Sequence, residues 1–282
     1  SSFGSSALAE VNIPAAIAVI IGPMKMMRLA RWQFILCMLV LGLICLGGSV
    51  RAMNAGLACP DWPLCFGQFI PDYHPQVYFE FIHRVIAGVV SLLTVLLSVL
   101  IFKSPEAPRA AKRLMALTIV LLLGQIVMGG LTVLKLLYYV TVTTHLALGL
   151  GFLATLTWVY FLLQAQAERS DLIGAPASIR RFTSWLVVLI FGQILLGGLV
   201  SSNYAGLACP DAQLCFGTLV PTLEGKIGLQ VIHRLGAYTV ALGLCIFWFL
   251  LRSKKSEPWM TPTVQKFSTI AVLLVVLQVA IG

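Results

Sequence analysis

Three histidines stand within or at the start of long apolar stretches of the chain, where an ionisable side chain is costly and usually has a function. His83 and His233 lie in the related segments FEFIHRVIAG and GLQVIHRLGA, and His145 lies in the separate segment TTHLALG. An imidazole in such a place can ligate a metal ion or a haem iron. The alternative for any one of them is a hydrogen-bonded side chain that only contributes to packing.

His83 and His145 are expected at matching depths along their helices. If these helices begin near Val77 and Tyr139, each imidazole lies about six residues, or roughly 9 Å, along its helix. Two imidazoles at matching depth on two helices of one bundle can bind opposite faces of a haem iron. Zinc is less favoured, because the nearby sequence has no cluster of Cys, His and carboxylate ligands. His233 repeats the arrangement of His83 in the second half of the chain.

An acidic residue distinguishes the first of these segments from the second. Glu80 precedes His83 by three residues, whereas Gln230 precedes His233 at the same spacing. This spacing places the two side chains on one face of a helix. A carboxyl group can move protons and an amide cannot, so we expect chemistry in the first half and a bound cofactor in the second. The alternative is a surface carboxylate at a helix start, where the helix dipole favours it.

An arginine follows each of these two histidines directly, at Arg84 and Arg234. Their guanidinium groups can pair with the propionates of a haem. They can equally anchor the helices at the lipid headgroups. The sequence leaves both interpretations open.

The composition predicts that membrane-spanning helices position these residues. Of 282 residues, 59% are hydrophobic and only 10% are charged, against about 25% charged residues in an average soluble domain. A bilayer core needs roughly 20 apolar residues per helix. Seven stretches carry no Lys, Arg or Glu, and only the fifth carries an Asp, at Asp211. They predict seven spans, the fifth stretch being long enough to include a loop: 32–50, 85–102, 114–134, 136–167, 182–223, 235–251 and 267–282.

The net charge of +9 indicates an orientation in the membrane rather than a nucleic-acid partner. Fourteen of the 19 basic residues fall on one side of the predicted spans, and the positive-inside rule makes that side the cytoplasm. We expect a multi-pass protein of a bacterial cell (inner) membrane, surrounded by lipid, with a cytoplasmic N-terminus and no nucleic-acid partner. The basic residues concerned are Lys25, Arg28, Arg31, Lys103, Arg109, Lys112, Arg113, Arg169, Arg180, Arg181, Arg252, Lys254, Lys255 and Lys266.

The chain also contains a duplication. The loops GLACPDWPLCFGQFIP (56–71) and GLACPDAQLCFGTLVP (206–221) are offset by 150 residues, like His83 and His233, and a fixed offset marks a duplicated unit. Both loops fall on the predicted outer face. An even number of helices in each unit keeps both copies in the same orientation, as a parallel repeat. The predicted fold class is an all-α integral membrane protein with two tandem four-helix bundles.

We predict an N-terminal four-helix unit at residues 24–165 and a C-terminal unit at residues 166–282. The glycine motif GQIVMGG at 124–130 has its counterpart in LQVAIG at the end of the chain. We therefore expect eight transmembrane helices in the complete protein and about seven in this chain, which would stop before helix eight. Residues 1–23 fit no part of the pattern and are expected to be an upstream or artificially added segment.

These features resemble the haem A synthase family, in its bacterial type with paired cysteines in both outer loops. The resemblance covers Met24 to the end of the chain and rests on the two CPDxxLC loops, EFIHR, TTHLALG, QVIHR and the four-helix duplication. It implies an oxidoreductase that acts on a CH3 group of haem O. Such an enzyme oxidises the methyl group to a formyl group through an alcohol and so supplies haem A to terminal oxidases.

The resemblance also implies a role for each candidate residue. His83 and His145 would bind the iron of the substrate haem O, and Glu80 would be the catalytic acid–base beside the reacting methyl group. His233 would be one ligand of a permanent haem b, whose second ligand in the family lies on helix eight. The implied partners are haem O synthase, cytochrome oxidase subunits and an unidentified electron acceptor.

Each cysteine pair, Cys59 with Cys65 and Cys209 with Cys215, can close a short loop as a disulfide on the oxidising outer face. Such a bridge contributes about 2–3 kcal/mol in the chain-entropy model. It either holds a lid above a haem pocket in each unit or, in the first unit, takes part in thiol–disulfide exchange during turnover. The identical spacing in both units favours the lid.

Two other functions compete with haem A synthesis. A b-type transmembrane cytochrome that passes electrons from quinol would use the same histidines, would not need Glu80 and would leave its haem unchanged. A duplicated transporter would place polar residues near the middle of the bilayer, whereas here they gather near the outer face.

Overall fold

The computed structural model of the protein describes residues 13–168, 174–211, 214–218, 221 and 223–281, with residues 13–23 described at the backbone only. Every regular element in this part of the chain is a helix, and seven helices follow one another along it. Their bounds are α1 (Ile13–Ala52), α2 (Pro75–Lys103), α3 (Arg109–Leu134), α4 (Tyr139–Glu168), α5 (Ala177–Ser202), α6 (Gly225–Arg252) and α7 (Pro262–Ile281).

All seven helices are long and apolar enough to cross a membrane. Their spans contain 20 to 30 residues and have a mean hydropathy between 1.7 and 2.8, whereas roughly 20 apolar residues suffice for the hydrocarbon core. The span within α1 covers Met24–Ala52, and each of the other spans coincides with its helix. For the described residues, this confirms the predicted multi-pass membrane protein with seven spans.

The helix boundaries follow the sequence pattern closely. The long stretch at 182–223 resolves into a helix and a loop, because α5 ends at Ser202 and α6 begins only at Gly225. α4 begins at Tyr139, as predicted, and α2 begins at Pro75, two residues earlier than predicted. Hydropathy therefore located the helices well, and the proline set the start of α2.

Contacts within the chain define two compact units, each built from several segments. Among the described residues, unit 1 contains 13–46, 83–120 and 152–168, and unit 2 contains 47–82, 121–151 and the described residues within 174–281. Each of the first four helices contributes to both units. The predicted domains at 24–165 and 166–282 therefore remain a prediction.

The predicted upstream segment, residues 1–23, lies partly outside the described residues. Residues 1–12 are not among them, and α1 runs without a break from Ile13 through the predicted boundary at Met24. The separate origin of this segment remains a prediction.

Hydrogen bonds between polar side chains fix the helix contacts inside unit 1. The Gln33 amide, fully buried on α1, donates to the Leu156 carbonyl oxygen of α4 at 3.0 Å. Thr118 Oγ1 on α3 donates to Thr155 Oγ1 on α4 at 2.9 Å. Because an unpaired polar group is costly in apolar surroundings, such bonds select which helix faces meet.

In unit 2, α5 packs against α6, and α6 packs against α7. Gly243 on α6 admits Leu186 of α5, whose Cδ2 would lie 2.9 Å from a methyl group at that glycine. Trp248 Nε1 on α6 donates to Thr269 Oγ1 on α7 at 3.0 Å. Small residues and interhelical hydrogen bonds are the usual means by which helices associate in membranes.

An arginine joins the ends of α1 and α5 within unit 2. The Arg51 guanidinium donates to the Tyr204 hydroxyl at 3.0 Å and to the Ser201 carbonyl oxygen at 2.8 Å. Its Cζ lies 4.2 Å from the centroid of the Tyr204 ring, so a cation–π contact adds to the hydrogen bonds. Since α1 and α5 each lead into a cysteine loop, this contact fixes the spacing of the two helix ends from which the loops start.

Candidate functional site

Disulfides close both cysteine loops, as the sequence predicted. Cys59 pairs with Cys65 and Cys209 with Cys215, at Cα–Cα distances of 4.7 Å and 4.8 Å. Behind the first bridge the chain turns back, and Cys65 and Gln68 exchange two backbone hydrogen bonds of 3.2 Å and 3.1 Å. The same exchange recurs in the second loop at 2.8 Å and 3.2 Å. The two loops therefore share their backbone hydrogen bonding as well as their cysteines.

A carboxylate stabilises the turn in each loop. Phe66 and Gly67 have positive φ angles of 56° and 68°, a conformation that costs a residue such as Phe some free energy. Asp61 accepts hydrogen bonds from both of their backbone N–H groups, at 2.6 Å and 2.8 Å. In the second loop, Asp211 accepts from the Gly217 N–H at 3.0 Å. The aspartate of the CPD motif thus supports the turn that follows the second cysteine of its loop.

The first loop lies against α3 and the turn that follows it. A methyl group at Gly130 would come within 3.1 Å of Trp62 Cδ2, so a larger residue there would push the indole outwards. Gly56, at the start of the loop, faces Leu137 in the same way at 3.3 Å. Trp62 is specific to the first loop, because the second loop has Ala212 at this position. The first loop therefore covers the C-terminal end of α3 with an aromatic ring that its copy lacks.

The second loop is attached to α6 by two polar side chains. Arg234 donates from Nη1 to the Leu214 carbonyl oxygen at 2.9 Å and from Nη2 to the Cys209 carbonyl oxygen at 3.3 Å. The buried Gln230 donates to the Gly206 carbonyl oxygen at 3.2 Å. These contacts hold the loop over the N-terminal part of α6. The contact of Arg234 with a haem propionate stays a prediction.

His145 lies on α4, six residues after Tyr139, as predicted. From α3, the Gln125 amide nitrogen donates to the His145 carbonyl oxygen at 2.9 Å and lies 2.7 Å from the ring Nδ1. Gln125 Oε1 accepts from the Gly149 N–H at 2.9 Å. Gly129, one turn after Gln125, faces the ring, and a methyl group there would lie 3.3 Å from Cε1. The imidazole is thus held by an amide and faced by a glycine.

His233 has a matching environment on α6, eight residues after Gly225. From α5, Gln193 Nε2 lies 3.0 Å from the His233 Nδ1 and donates to the His233 carbonyl oxygen at 2.8 Å. Gly197, one turn after Gln193, faces the ring, and a methyl group there would lie 3.0 Å from Cε1. A glutamine and a glycine therefore lie beside the histidine in each of two different helix pairs.

Glu80 is buried on α2 although its side chain is ionisable, with 7% of its surface exposed. The first disulfide lies nearby, because Cys59 Sγ is 4.0 Å from the carbonyl oxygen of Val77, one helical turn before Glu80. The counterpart of Glu80, Gln230, is 6% exposed. The two copies thus share a buried position, which holds an acid in the first copy (Glu80) and an amide in the second (Gln230). This burial argues against the alternative of a solvated surface carboxylate.

His83 lies on α2, eight residues after Pro75. The predicted position of about six residues therefore holds for His145 but is two residues short for His83, which amounts to about 3 Å along a helix. His83 belongs to unit 1 and His145 to unit 2, so their pairing across one haem remains a prediction. The contact of Arg84, also on α2, with a propionate remains a prediction as well.

Gln125 and Gln193 are the site residues that the sequence reasoning missed. The signal was present in the motifs GQIVMGG and GQILLGG, where a glutamine stands four residues before a glycine. The glycines alone indicate close helix packing or room for a flat ligand. A polar amide in a membrane helix indicates, in addition, a hydrogen-bonded partner on a neighbouring helix.

The glycines beside His145 and His233 are the part of their surroundings that fits a bound haem. Each ring is faced by a glycine, where a Cβ atom would crowd the imidazole edge. Each Nδ1 lies next to the nitrogen of a glutamine amide, so Nδ1 accepts and the ring proton lies on Nε2. Ligation of an iron through Nε2 would require this proton on Nδ1, with an acceptor beside it.

The fold and the site together define a class, a multi-pass membrane protein with disulfide-closed loops and histidines held between its helices. The chain belongs to the COX15-CtaA family of cytochrome oxidase assembly proteins, which matches residues 30–78 and 72–282. The family predicted from the paired loops and the histidine motifs is thereby confirmed.

Three relatives, each named haem A synthase, are similar to the chain over most of its length. The Shewanella oneidensis protein is 28% identical over 303 residues, covering 92% of this chain and 87% of the relative. The Symbiobacterium thermophilum protein is 28% identical over 249 residues, covering 84% and 78%. The Bacillus cereus protein is 27% identical over 264 residues, covering 91% and 83%. The similarity therefore extends through both copies of the repeat.

Proposed function

We propose that the chain is a haem A synthase, which oxidises a ring methyl group of haem O to a formyl group through an alcohol. Membership of the family, and similarity over most of the chain to relatives of that name, support this activity. The observation that assigns the reaction to the first copy is the burial of Glu80 at a position where the second copy has Gln230. The product, haem A, serves terminal oxidases.

The two copies of the repeat divide the work. In the first copy, His83 and His145 bind the substrate haem O on its two faces. In the second copy, His233 would hold a resident haem b, which would supply one-electron redox chemistry. Arg84 and Arg234, one residue after a histidine in each copy, pair with haem propionates. The glycine that faces each of the His145 and His233 rings supports these assignments, because it leaves room beside the imidazole.

Glu80 is the acid–base of the reaction. Each oxidation step removes electrons and protons together from the carbon that reacts, so a proton acceptor is needed beside it. A carboxylate within hydrogen-bond reach of the reacting group can take this part, and its burial keeps bulk water away. Gln230 cannot replace it, because an amide does not gain or lose a proton near neutral pH. The first copy is therefore the active one.

The cysteine loops act as lids that keep water out of the haem sites. The first loop is closed by its disulfide, stiffened by Asp61 and laid against Gly130 through Trp62. The second loop has the same closure without the indole and is attached to α6 by Arg234. Both loops have the same disulfide, although only the first copy is assigned the reaction. The feature that they share supports a structural role rather than thiol–disulfide exchange during turnover.

In the membrane, residues 24–165 form the substrate unit and residues 166–282 the haem b unit, as tandem parallel four-helix repeats. The basic loops face the cytoplasm of a bacterial cell, and the cysteine loops face outwards, in keeping with the distribution of Lys and Arg. Haem O synthase supplies the substrate, subunits of cytochrome oxidase receive the product, and an electron acceptor would take up the electrons that the reaction releases.

A bacterium that makes haem O but lacks its own haem A synthase tests this activity. Membranes from cells that express the full chain are extracted, and the haems are separated and identified by mass spectrometry. We expect haem A, together with the alcohol intermediate, and neither compound from cells with an empty vector. If a folded, haem-containing protein left haem O unchanged, the proposal would be wrong, and a b-type cytochrome would explain the histidines.

A further inference from the structure

The first cysteine loop ends in a group of exposed apolar and aromatic side chains. Phe69, Ile70 and Tyr73 have 86%, 71% and 76% of their surface exposed. The sequence from residue 62 to residue 71 contains no charged residue. A single exposed apolar side chain needs no explanation, but a contiguous group of them marks an interaction surface. We call Phe69, Ile70 and Tyr73 the loop tip.

Aromatic rings connect the loop tip with the beginning of α2. The centroid of the Tyr73 ring lies 5.0 Å from that of Tyr78, which lies 5.6 Å from that of Phe81. Because the membrane span of α2 begins at Pro75, the Tyr78 backbone lies about 5 Å inside the span. The ring contact therefore holds Tyr73 beside the first turn of a membrane-spanning helix.

The second copy closes its loop without these rings. The three aromatic residues have apolar or glycine counterparts at the offset of 150 residues, which are Leu223, Gly228 and Val231. A Cβ atom at Gly228 would collide with the Leu223 backbone, so the second loop lies directly on α6. In the first copy Tyr78 occupies this position, and its ring packs against the Tyr73 ring instead. The aromatic support of the loop tip is therefore specific to the first copy.

A cavity of about 350 Å³ opens between the first loop and the start of α2. Its lining combines apolar and aromatic side chains with polar ones: Phe66, Gln68, Asp72, Tyr73, His74 and Val77. Side chains with an apolar body and a polar end are typical of the membrane–water interface, where tyrosine is enriched. Since ionisable groups are costly among acyl chains, Asp72 and His74 suit the headgroup layer instead.

We propose that the loop tip inserts into the phospholipid headgroup layer at the membrane surface where α2 begins. Phe69 and Ile70 contact the first methylene groups of the acyl chains, while Asp72 and His74 stay among headgroups and water. Lipid is the favoured partner because ring contacts join the tip to a helix that itself spans the membrane. The insertion anchors the disulfide-closed loop of the first copy at the membrane surface.

Depth-dependent fluorescence quenching tests the insertion. A fluorescent amino acid replaces Phe69 in the full chain, which is purified and placed as one molecule per phosphatidylcholine nanodisc. The quenchers are a nitroxide on the lipid headgroup, a nitroxide deep in the acyl chain, and iodide in the buffer. Leu92, which is 74% exposed on α2, serves as the acyl-chain control, and the exposed Ser256 between α6 and α7 serves as the aqueous control.

An interfacial apolar surface is buried about 5–10 Å into the boundary between headgroups and acyl chains. We therefore expect the headgroup nitroxide to quench at residue 69 about threefold more strongly than at residue 256, and iodide to quench about threefold less. The acyl-chain nitroxide should be most effective at residue 92. Iodide quenching at residue 69 equal to that at residue 256 would overturn the proposal, because the tip would then lie in water. Weak quenching by all three would also overturn it, because protein would then cover the tip.

Photocrosslinking in native membranes tests the choice of partner. With a benzophenone amino acid in place of Phe69, irradiation should increase the mass of the chain by that of a phospholipid. A dominant adduct with another protein, or with a second copy of the chain, would replace the lipid surface by a protein docking surface. Thermal unfolding in detergent checks that the replacements of the exposed Phe69 leave the fold intact. Both tests are independent of the proposed function, because they require only that α2 spans a membrane.

Discussion

Single residues of the two copies differ in ways that match a division of labour. Glu80 is buried where the other copy has Gln230, and Trp62 lies on Gly130 where the other copy has Ala212. A buried acid costs free energy, because desolvation penalises its charged form. A buried ionisable residue in a membrane protein usually has a function, which fits the assignment of proton transfer to the first copy.

The aspartates of the two CPD motifs allow a prediction at this scale. Asp61→Ala should lower the free energy of unfolding by about 1–2 kcal/mol, because it removes the carboxylate that accepts hydrogen bonds from two backbone N–H groups. Asp211→Ala should cost less, about 1 kcal/mol, since Asp211 accepts from the Gly217 N–H alone among the described contacts. Thermal unfolding of the purified variants in detergent, followed by tryptophan fluorescence, measures the difference. Equal midpoints for both variants would contradict it.

At the scale of elements, the helices follow from composition, but their contacts follow from a few small or polar residues. Gln33 joins α1 to α4, Trp248 joins α6 to α7, and Arg51 joins the ends of α1 and α5. Lipid is as apolar as a leucine side chain, so apolar area alone does not select the helix faces that meet. The glutamines and glycines that contact His145 and His233 therefore help to determine where these two histidines lie.

The cysteine loops are the elements whose role is most open to experiment. Replacing both cysteines of a loop by serine, as Cys59→Ser with Cys65→Ser or Cys209→Ser with Cys215→Ser, should lower stability by about 2–3 kcal/mol in either loop. The costs should be similar, because both bridges close loops with a sequence separation of 6. Thermal unfolding in detergent gives the comparison.

The same variants separate the lid from thiol–disulfide exchange. Below its unfolding temperature, the variant without the first bridge should still form haem A, because a lid needs no free thiol. A folded variant that lacked all activity, beside an active variant of the second loop, would show that the Cys59–Cys65 pair takes part in turnover.

At the scale of the whole molecule, the distribution of charge predicts the orientation in the membrane. Alkaline phosphatase is active only outside the cytoplasm, so a fusion after Phe69 in the first cysteine loop should be active. A fusion after Lys254, between α6 and α7, should be inactive, because that loop carries Lys and Arg. Assays on whole cells, with equal amounts of fusion protein, measure this. An active fusion at Lys254 would reverse the orientation.

The sequence predicted the number and position of the spans, the disulfides and the family, because hydropathy, spacing and motifs are local properties of the chain. It did not predict that Gln125 would contact His145, that Trp62 would lie on Gly130, or that Arg51 would reach Tyr204. These contacts depend on how each helix is rotated about its axis and on the path of the loops, which hydropathy does not encode. The two-residue error for His83 came from the same limit, since Pro75 begins α2 earlier than the apolar pattern suggests.

The most direct test of the account is the haem content of a Glu80→Gln variant, which gives the first copy the residue of the second. Glu106→Gln is the matched control, since Glu106 is a solvent-exposed acid in the α2–α3 loop that lies 3.8 Å from Lys25 Nζ. In cells that make haem O, we predict that Glu80→Gln membranes yield bound haem O and haem b without haem A, while Glu106→Gln yields haem A as the wild type does. Wild-type amounts of haem A from the Glu80→Gln variant would contradict the assignment of the reaction to this carboxylate.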